Sequence, residues 1–270
     1  MSPAPGCATL EDVSEIFRFH VQPSLGDSSL LLAFEGWNDA GEAASAAARF
    51  FTENVPSAPL AELDPEEFYD FTVNRPRVAL KSGVRTLAWP TVEFRYGTMP
   101  DGRGLVVGVG PEPHLRWRRF TEEVLDLVRR CRVKRAVLLG AFLADVVYSR
   151  PVRVSGFSST PDRIDSLALE TSTYEGPTGI VGVLADHLAA VGVEVVSLWA
   201  ALPHYIEASP NPRGALALVQ KAKHYLALSI DDAPLQQSAA EFEQSVSALV
   251  ASDPALTEYV RALKKREFAQ

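Results

Sequence analysis

Leu30-Leu31-Leu32-Ala33-Phe34-Glu35-Gly36-Trp37-Asn38-Asp39 is the stretch that decides the fold class. The unbroken apolar run 30–34 suits a strand covered on both faces, because a strand with one wet face would alternate. The run stops at Glu35-Gly36, and Asn38 or Asp39 can cap a following helix with its side-chain oxygen. Ala40, Ala43, Ala44, Ala47 and Phe51 then share one helical face. Their small side chains let that helix lie close against a sheet. A buried strand, a glycine turn and a capped helix make the opening unit of an α/β domain.

Outward from this unit the pattern recurs. Leu105-Val106-Val107-Gly108-Val109-Gly110 predicts another buried strand, and Trp117, Phe120, Val124, Leu127, Val128 and Cys131 stripe the helix after it. Ala136-Val137-Leu138-Leu139-Gly140 follows within a few residues, a βαβ spacing that predicts a right-handed parallel crossover. Ile180, Val181, Leu184 and Leu188 mark a helix, 193–202 a strand long enough to cross the sheet, and Ala215, Leu218, Val219, Ala222, Tyr225 and Leu226 a further helix. The segments around 78–80, 87–89 and 92–96 have β-type composition and predict a small antiparallel excursion. Leu235, Ala239, Phe242, Val246 and Leu249 form one late stripe; Leu256, Tyr259, Val260 and Leu263 form a second after the break at Asp253-Pro254. The expected organisation is a flexible leader over 1–12, an α/β domain over 13–230 and a helical C-terminal extension over 231–270. The late stripes should pack as a helical pair, with Lys264, Lys265 and Arg266 at a helix end where cations offset the carbonyl dipole.

With 34 acidic against 26 basic residues, the net charge of −8 points away from duplex nucleic acid and from an anionic membrane as partners. No apolar run approaches the ~20 residues of a membrane-spanning helix. Residues 1–16 include Glu11, Asp12 and Glu15 and lack the apolar core of a secretory signal, so the expected compartment is the cytoplasm. Cys7 and Cys131 make neither a disulfide framework nor a metal pattern, and Cys131 reads as a buried thiol. No metal and no cofactor are expected.

The familiar catalytic motifs are missing. There is no phosphate-binding Walker loop, and Pro113 stands where a dinucleotide fingerprint begun at Gly108 and Gly110 would need its third glycine. Gly156-Phe157-Ser158-Ser159-Thr160 lacks the closing glycine of a nucleophile elbow. Polar side chains gather instead at the C-terminal ends of the predicted parallel strands, where open α/β sheets receive ligands. Glu35, Asn38 and Asp39 follow the first strand, Glu112 and His114 a later one, Asp145 and His204 the last two, and Glu175 precedes the helix leading into the final strand. These form the candidate cleft, with Asn38, Glu112, Glu175 and His204 expected around one concavity. Each has a structural reading beside it: Asn38 and Asp39 as helix caps, His204-Tyr205 as shapers of the turn after Pro203, Asp145 as an ion-pair partner of Arg150.

The same segments carry a resemblance. Phe34-Glu35-Gly36-Trp37-Asn38-Asp39-Ala40-Gly41 is similar to the opening signature of the proteasome assembly chaperone 2 family in its actinobacterial form. Leu63-Asp64-Pro65-Glu66-Glu67-Phe68-Tyr69-Asp70 with Arg75-Pro76, Gly110-Pro111-Glu112-Pro113, and Leu143-Ala144-Asp145-Val146 with Arg150-Pro151 resemble its next blocks. Tyr174-Glu175-Gly176-Pro177-Thr178-Gly179, Ser197-Leu198-Trp199-Ala200, Pro203-His204-Tyr205 and Pro210-Asn211-Pro212 complete the set. The resemblance implies a purine-nucleoside-phosphorylase-like fold, a mixed central sheet flanked by helices. It also implies a non-enzymatic chaperone-like or assembly role, with proteasome-related or other protein partners. Phosphorylase-like relatives assemble in threes, and Trp89, Phe94 and Tyr96 make the excursion apolar, so a homo-oligomer, with a trimer favoured, is expected. The ending Phe268-Ala269-Gln270 puts alanine where ring-docking members carry tyrosine, so partners would be met without a tyrosine-bearing tail. The alternative is a small-molecule-binding protein, or a hydrolase or phosphorylase-like enzyme, using the strand-end cleft; the clustered polar residues favour it and the missing nucleophile weighs against it.

Overall fold

The computed structural model describes residues 16–21, 26–99 and 101–267, with Lys81 described by its backbone alone. The expected leader and the ending Phe268-Ala269-Gln270 lie outside the described residues. In chain order the elements are β1 (Phe17–Phe19), β2 (Ser28–Glu35), α1 (Ala43–Asn54), β3 (Ala58–Leu63), β4 (Arg77–Lys81), β5 (Val84–Ala88), β6 (Glu93–Thr98) and β7 (Gly104–Pro111). There follow α2 (Trp117–Arg130), β8 (Val133–Ala144), β9 (Val154–Ser158), α3 (Asp162–Ser166), β10 (Glu170–Thr171), α4 (Ile180–Ala190), β11 (Glu194–Pro203), α5 (Pro212–Leu226), α6 (Ala233–Ser252) and α7 (Pro254–Glu267).

A mixed sheet of nine strands runs in the order β1-β3-β6-β7-β2-β8-β11-β9-β10. Its centre, β7-β2-β8-β11, is parallel, and antiparallel strands extend it on both sides. Alternation along β2 explains the layers. Leu30, Leu32 and Phe34 face one helical layer with Phe120 and Leu127 of α2 and Leu184 of α4. Leu31 and Ala33 face the other, with Ala44 and Phe51 of α1 and Leu218 of α5. This is why β2 reads as a solid apolar run: neither face meets water.

The excursion expected between β3 and β7 divides in two. β6 pairs with both β3 and β7 and so belongs to the main sheet; β4 and β5 alone form a separate hairpin. Pairing with β7 turns Phe94 into the core, where its ring lies 5.2 Å from that of Phe17. Phe94 therefore adds nothing to an exposed apolar surface, and Tyr96 is half-buried. Trp89 stays exposed, tilted against Phe71 at 4.8 Å. The hairpin turns at Ser82 (φ 51°) and Gly83 (φ 80°), the paired positive φ of a turn that matches strand twist. Val78, Leu80, Val84 and Leu87 are all exposed on it.

The last two helices build a third core. Val246, Val250, Val260 and Leu263 bury against Val147 and Ile206 from the loops after β8 and β11. Leu249 is exposed, and Val250 takes the inward position at this turn of α6. Asp253 accepts the backbone amides of Ala255 and Leu256 (2.8 and 3.1 Å) and so caps α7, with Pro254 at its first position. Among the described residues no helix is long and apolar enough to cross a membrane.

Candidate functional site at the strand ends

Because β7, β2, β8 and β11 run parallel, the residues after them lie along one edge of the sheet. There the candidate residues separate into three groups.

Asn38 and Glu112 form the first. Nδ2 of Asn38 donates to Oε1 of Glu112 (2.8 Å), and the same oxygen accepts the backbone N–H of Ile180 (2.7 Å). A carboxylate from the end of β7 thus caps the N-terminus of α4, where it meets unsatisfied amides and the positive end of the helix dipole. Asn38 is fully buried. Gly179 makes the close approach feasible: a Cβ there would lie 2.2 Å from Oδ1 of Asn38 and 2.8 Å from Oε1 of Glu112. Glu175, earlier in the same loop, is exposed.

His204 belongs to a second group. Its Nε2 lies 2.8 Å from the Tyr259 hydroxyl and 3.0 Å from Oδ1 of Asp145, and the Tyr259 hydroxyl donates to that same oxygen (3.1 Å). Asp145 and His204 are adjacent because β8 and β11 end in register, Ala144 opposite Pro203. Tyr259 comes from α7, so this triad fastens the third core to the sheet edge. His114 stands apart from both groups. Its Nδ1 accepts the backbone N–H of Asp70 (3.0 Å), and its ring meets Tyr69 edge-on.

Glu35 and Asp39 form the third group, on the α1 side. Glu35 is ion-paired with Arg49. Asp39 is 6% exposed, and its Oδ1 accepts the backbone amides of Ala44 (2.7 Å) and Ser45 (3.1 Å), capping α1 across a short turn. Its Oδ2 is buried with no hydrogen-bond partner among the described residues. Burial raises the Asp39 carboxyl above its usual range, and the Glu35 charge adds to this; the backbone amides of Ala44 and Ser45 pull the other way. Both residues line an open cleft of about 560 Å³ together with Arg75, Arg77 and Trp89 from the two ends of the β4–β5 hairpin. The sequence pattern did not assign these three to the cleft: Arg75 stood out only within a family block and Trp89 only as part of the apolar excursion, although Arg75-Pro76-Arg77 places two guanidiniums at the foot of a hairpin. Among the described residues no three His, Cys, Asp or Glu side chains are placed to hold a metal.

Asp39→Asn should therefore gain stability at neutral pH. The amide keeps one acceptor for the cap and removes an unpartnered buried charge, a change of about 1 kcal/mol. A raised carboxyl contributes most below its unfolded pKa near 3.8, and that contribution is lost as pH rises through the folded value. The advantage of the variant should thus grow from pH 4 to pH 7. Denaturant titrations giving the same difference at both pH values would refute this account of Asp39.

The class of molecule is clear at this point: an α/β protein with a large mixed sheet, helices on both faces and its polar groups at the ends of the parallel strands. The chain belongs to the PAC2 family, whose model matches residues 33–250. It is similar in structure to a proteasome-assembly chaperone homologue from Mycobacterium tuberculosis, with 37% identity, a TM-score of 0.79, and coverage of 86% of this chain and 99% of that one. A PAC2 family protein from Streptomyces avermitilis shows 40% identity and a TM-score of 0.79 over 87% of this chain and 100% of its own. An archaeal proteasome activator from Pyrococcus furiosus shares the fold at 18% identity, with a TM-score of 0.68 over 86% of this chain and 97% of that one. Comparison with curated proteins gave no match.

Proposed function

We propose that the protein is a non-enzymatic, chaperone-like assembly factor of the cytoplasm that works as a homotrimer and engages protein partners, proteasome components among them. Family membership supports the chaperone-like class. The observation that carries the finer reading is the β4–β5 hairpin, which projects from the main sheet with Val78, Leu80, Val84 and Leu87 exposed. An isolated hairpin is marginal in water, so a projecting apolar one calls for a protein surface to cover it. Trp37, Phe142 and Leu143 add exposed apolar area at the strand ends. On this reading 13–230 forms the body, related to purine nucleoside phosphorylases, and 231–270 is a helical extension that packs on it. Partner recognition would run through the hairpin and strand ends.

Light scattering at micromolar concentration should report three times the 29.4 kDa chain mass. Leu80→Lys with Leu87→Lys should lower that mass and abolish capture of proteasome subunits in a pull-down. A wild-type monomer would refute the oligomer. Undiminished capture by the double variant would move the partner surface away from the hairpin.

A further inference from the structure

The connection after β2 leads to α1 on one face of the sheet, and the connection after β7 leads to α2 on the other. These strands are neighbours, with Glu35 opposite Pro111 at their ends. Where adjacent connections part to opposite faces, a crevice opens beyond the strands, and open α/β sheets take their ligands there. The hairpin deepens this crevice into the cleft of about 560 Å³, within the ~300–1,000 Å³ of small-molecule sites.

The cleft is dipolar. Glu35, Asp39 and Glu42 line it from the β2–α1 side; Arg75 and Arg77 line it from the hairpin side. Neither of these two arginines has an ion-pair partner among the described residues, and neither does Glu42. Asp39 supplies the independent sign of a ligand. It is more than nine-tenths buried and lines the cleft, and helix capping uses only one of its oxygens, which leaves Oδ2 an acceptor without a donor.

We propose that this cleft binds a small zwitterion of the amino-acid class. A cationic nitrogen donates to Asp39 between Glu35 and Glu42, and the carboxylate takes the guanidiniums of Arg75 and Arg77. A purely anionic ligand would face the carboxylates, and a purely cationic one would leave both guanidiniums opposed. The lining carboxylates Glu35, Asp39, Glu42 and Glu93 outnumber the guanidiniums Arg49, Arg75 and Arg77 by one, which favours a ligand with one extra positive charge. Lysine and arginine meet that condition, and their aliphatic stems can lie on the exposed indole of Trp89. This binding is independent of the assembly role.

Calorimetric titration of the full chain with L-lysine and L-arginine tests the proposal, with cadaverine and succinate as cation-only and anion-only comparisons. Saturable binding is expected for at least one amino acid, and weaker binding for both comparison compounds. Asp39→Asn should weaken the amino acid about tenfold or more, and Arg75→Ala with Arg77→Ala should do the same. The arginines are exposed at the foot of the hairpin, so the double variant tests the site from its other side without touching the Asp39 cap. The proposal is overturned if neither amino acid binds below about 10 mM. Binding of cadaverine or succinate as tight as that of the amino acid, or affinity left unchanged by the arginine substitutions, also overturns it.

Discussion

Removal of residues 234–270 should leave a chain that aggregates, whereas removal of 266–270 alone should leave solubility and assembly unchanged. The longer deletion takes away α6 and α7 and uncovers Val147 and Ile206, which they bury to 3% and 6% exposure. Full burial of an aliphatic side chain contributes about 1.5–3 kcal/mol, so two such losses on one surface are a large share of the stability of a domain. Polar losses add to this. Tyr205 accepts the N–H of Tyr148 (2.9 Å) and donates to the carbonyl of Val146 (3.0 Å), and burial pushes its phenol up to about 12. Its ring packs edge-on against Tyr259, so the deletion opens that network to water. Among the described residues the short deletion removes exposed charge pairs, Arg150 with Glu267 (3.6 Å) and Arg266 with Asp145 (3.9 Å), each contributing ~0.2–1 kcal/mol. Soluble yield and size-exclusion profiles read both outcomes. Aggregation of the short deletion would show that the tail does more than end a helix.

Gly179→Ala should be among the most damaging single methyl additions in the molecule. The added Cβ meets Asn38 at 2.2 Å, and Asn38 cannot yield because it is fully buried and bonded to Glu112. Overpacking of this kind costs about 1–3 kcal/mol, and displacing Glu112 from the amide of Ile180 forfeits a charge-assisted helix cap of about 1 kcal/mol. At ~2–4 °C per kcal/mol for a chain of this size, the midpoint of thermal unfolding should fall by roughly 4–16 °C. Glu112→Gln keeps the accepting oxygen and should cost far less than Glu112→Ala, which leaves the Ile180 amide and Nδ2 of Asn38 without their partner. A Gly179→Ala protein melting within a degree of wild type would mean that the seam between β7, β2 and α4 has room to spare.

The parallel core was legible because its strands are wet on neither face, so their apolar runs are unbroken from Leu30 to Phe34 and from Ala136 to Leu139. The fate of 78–98 was not. β4, β5 and β6 have similar composition, and only β7, reached later in the chain, determines that β6 joins the main sheet while the other two project from it. The candidate residues were recognisable as strand-end groups because parallel strands finish together. Their division among three sets of partners was not, since it depends on elements that arrive from elsewhere: Ile180 at the tip of α4 for Glu112, Tyr259 on α7 for His204, and the foot of the hairpin for Asp39. Capping was the right structural reading of Asp39, yet it accounts for only one of its oxygens.

The position of β2 between β7 and β8 also sets a schedule. Its parallel partners are made only when 104–111 and then 133–139 have left the ribosome. At bacterial or eukaryotic synthesis rates of ~5–20 residues per second, Leu30-Leu31-Leu32-Ala33-Phe34 waits about 5–20 seconds before both of its edges can be occupied. Until 104–111 emerge, the most apolar segment of the nascent chain has two free edges and no covering helix but α1, and one edge stays open until 133–139 follow. Its biogenesis should therefore draw on ribosome-associated holding factors, and slow codons placed between 35 and 133 should lower soluble yield more than the same codons placed after 203.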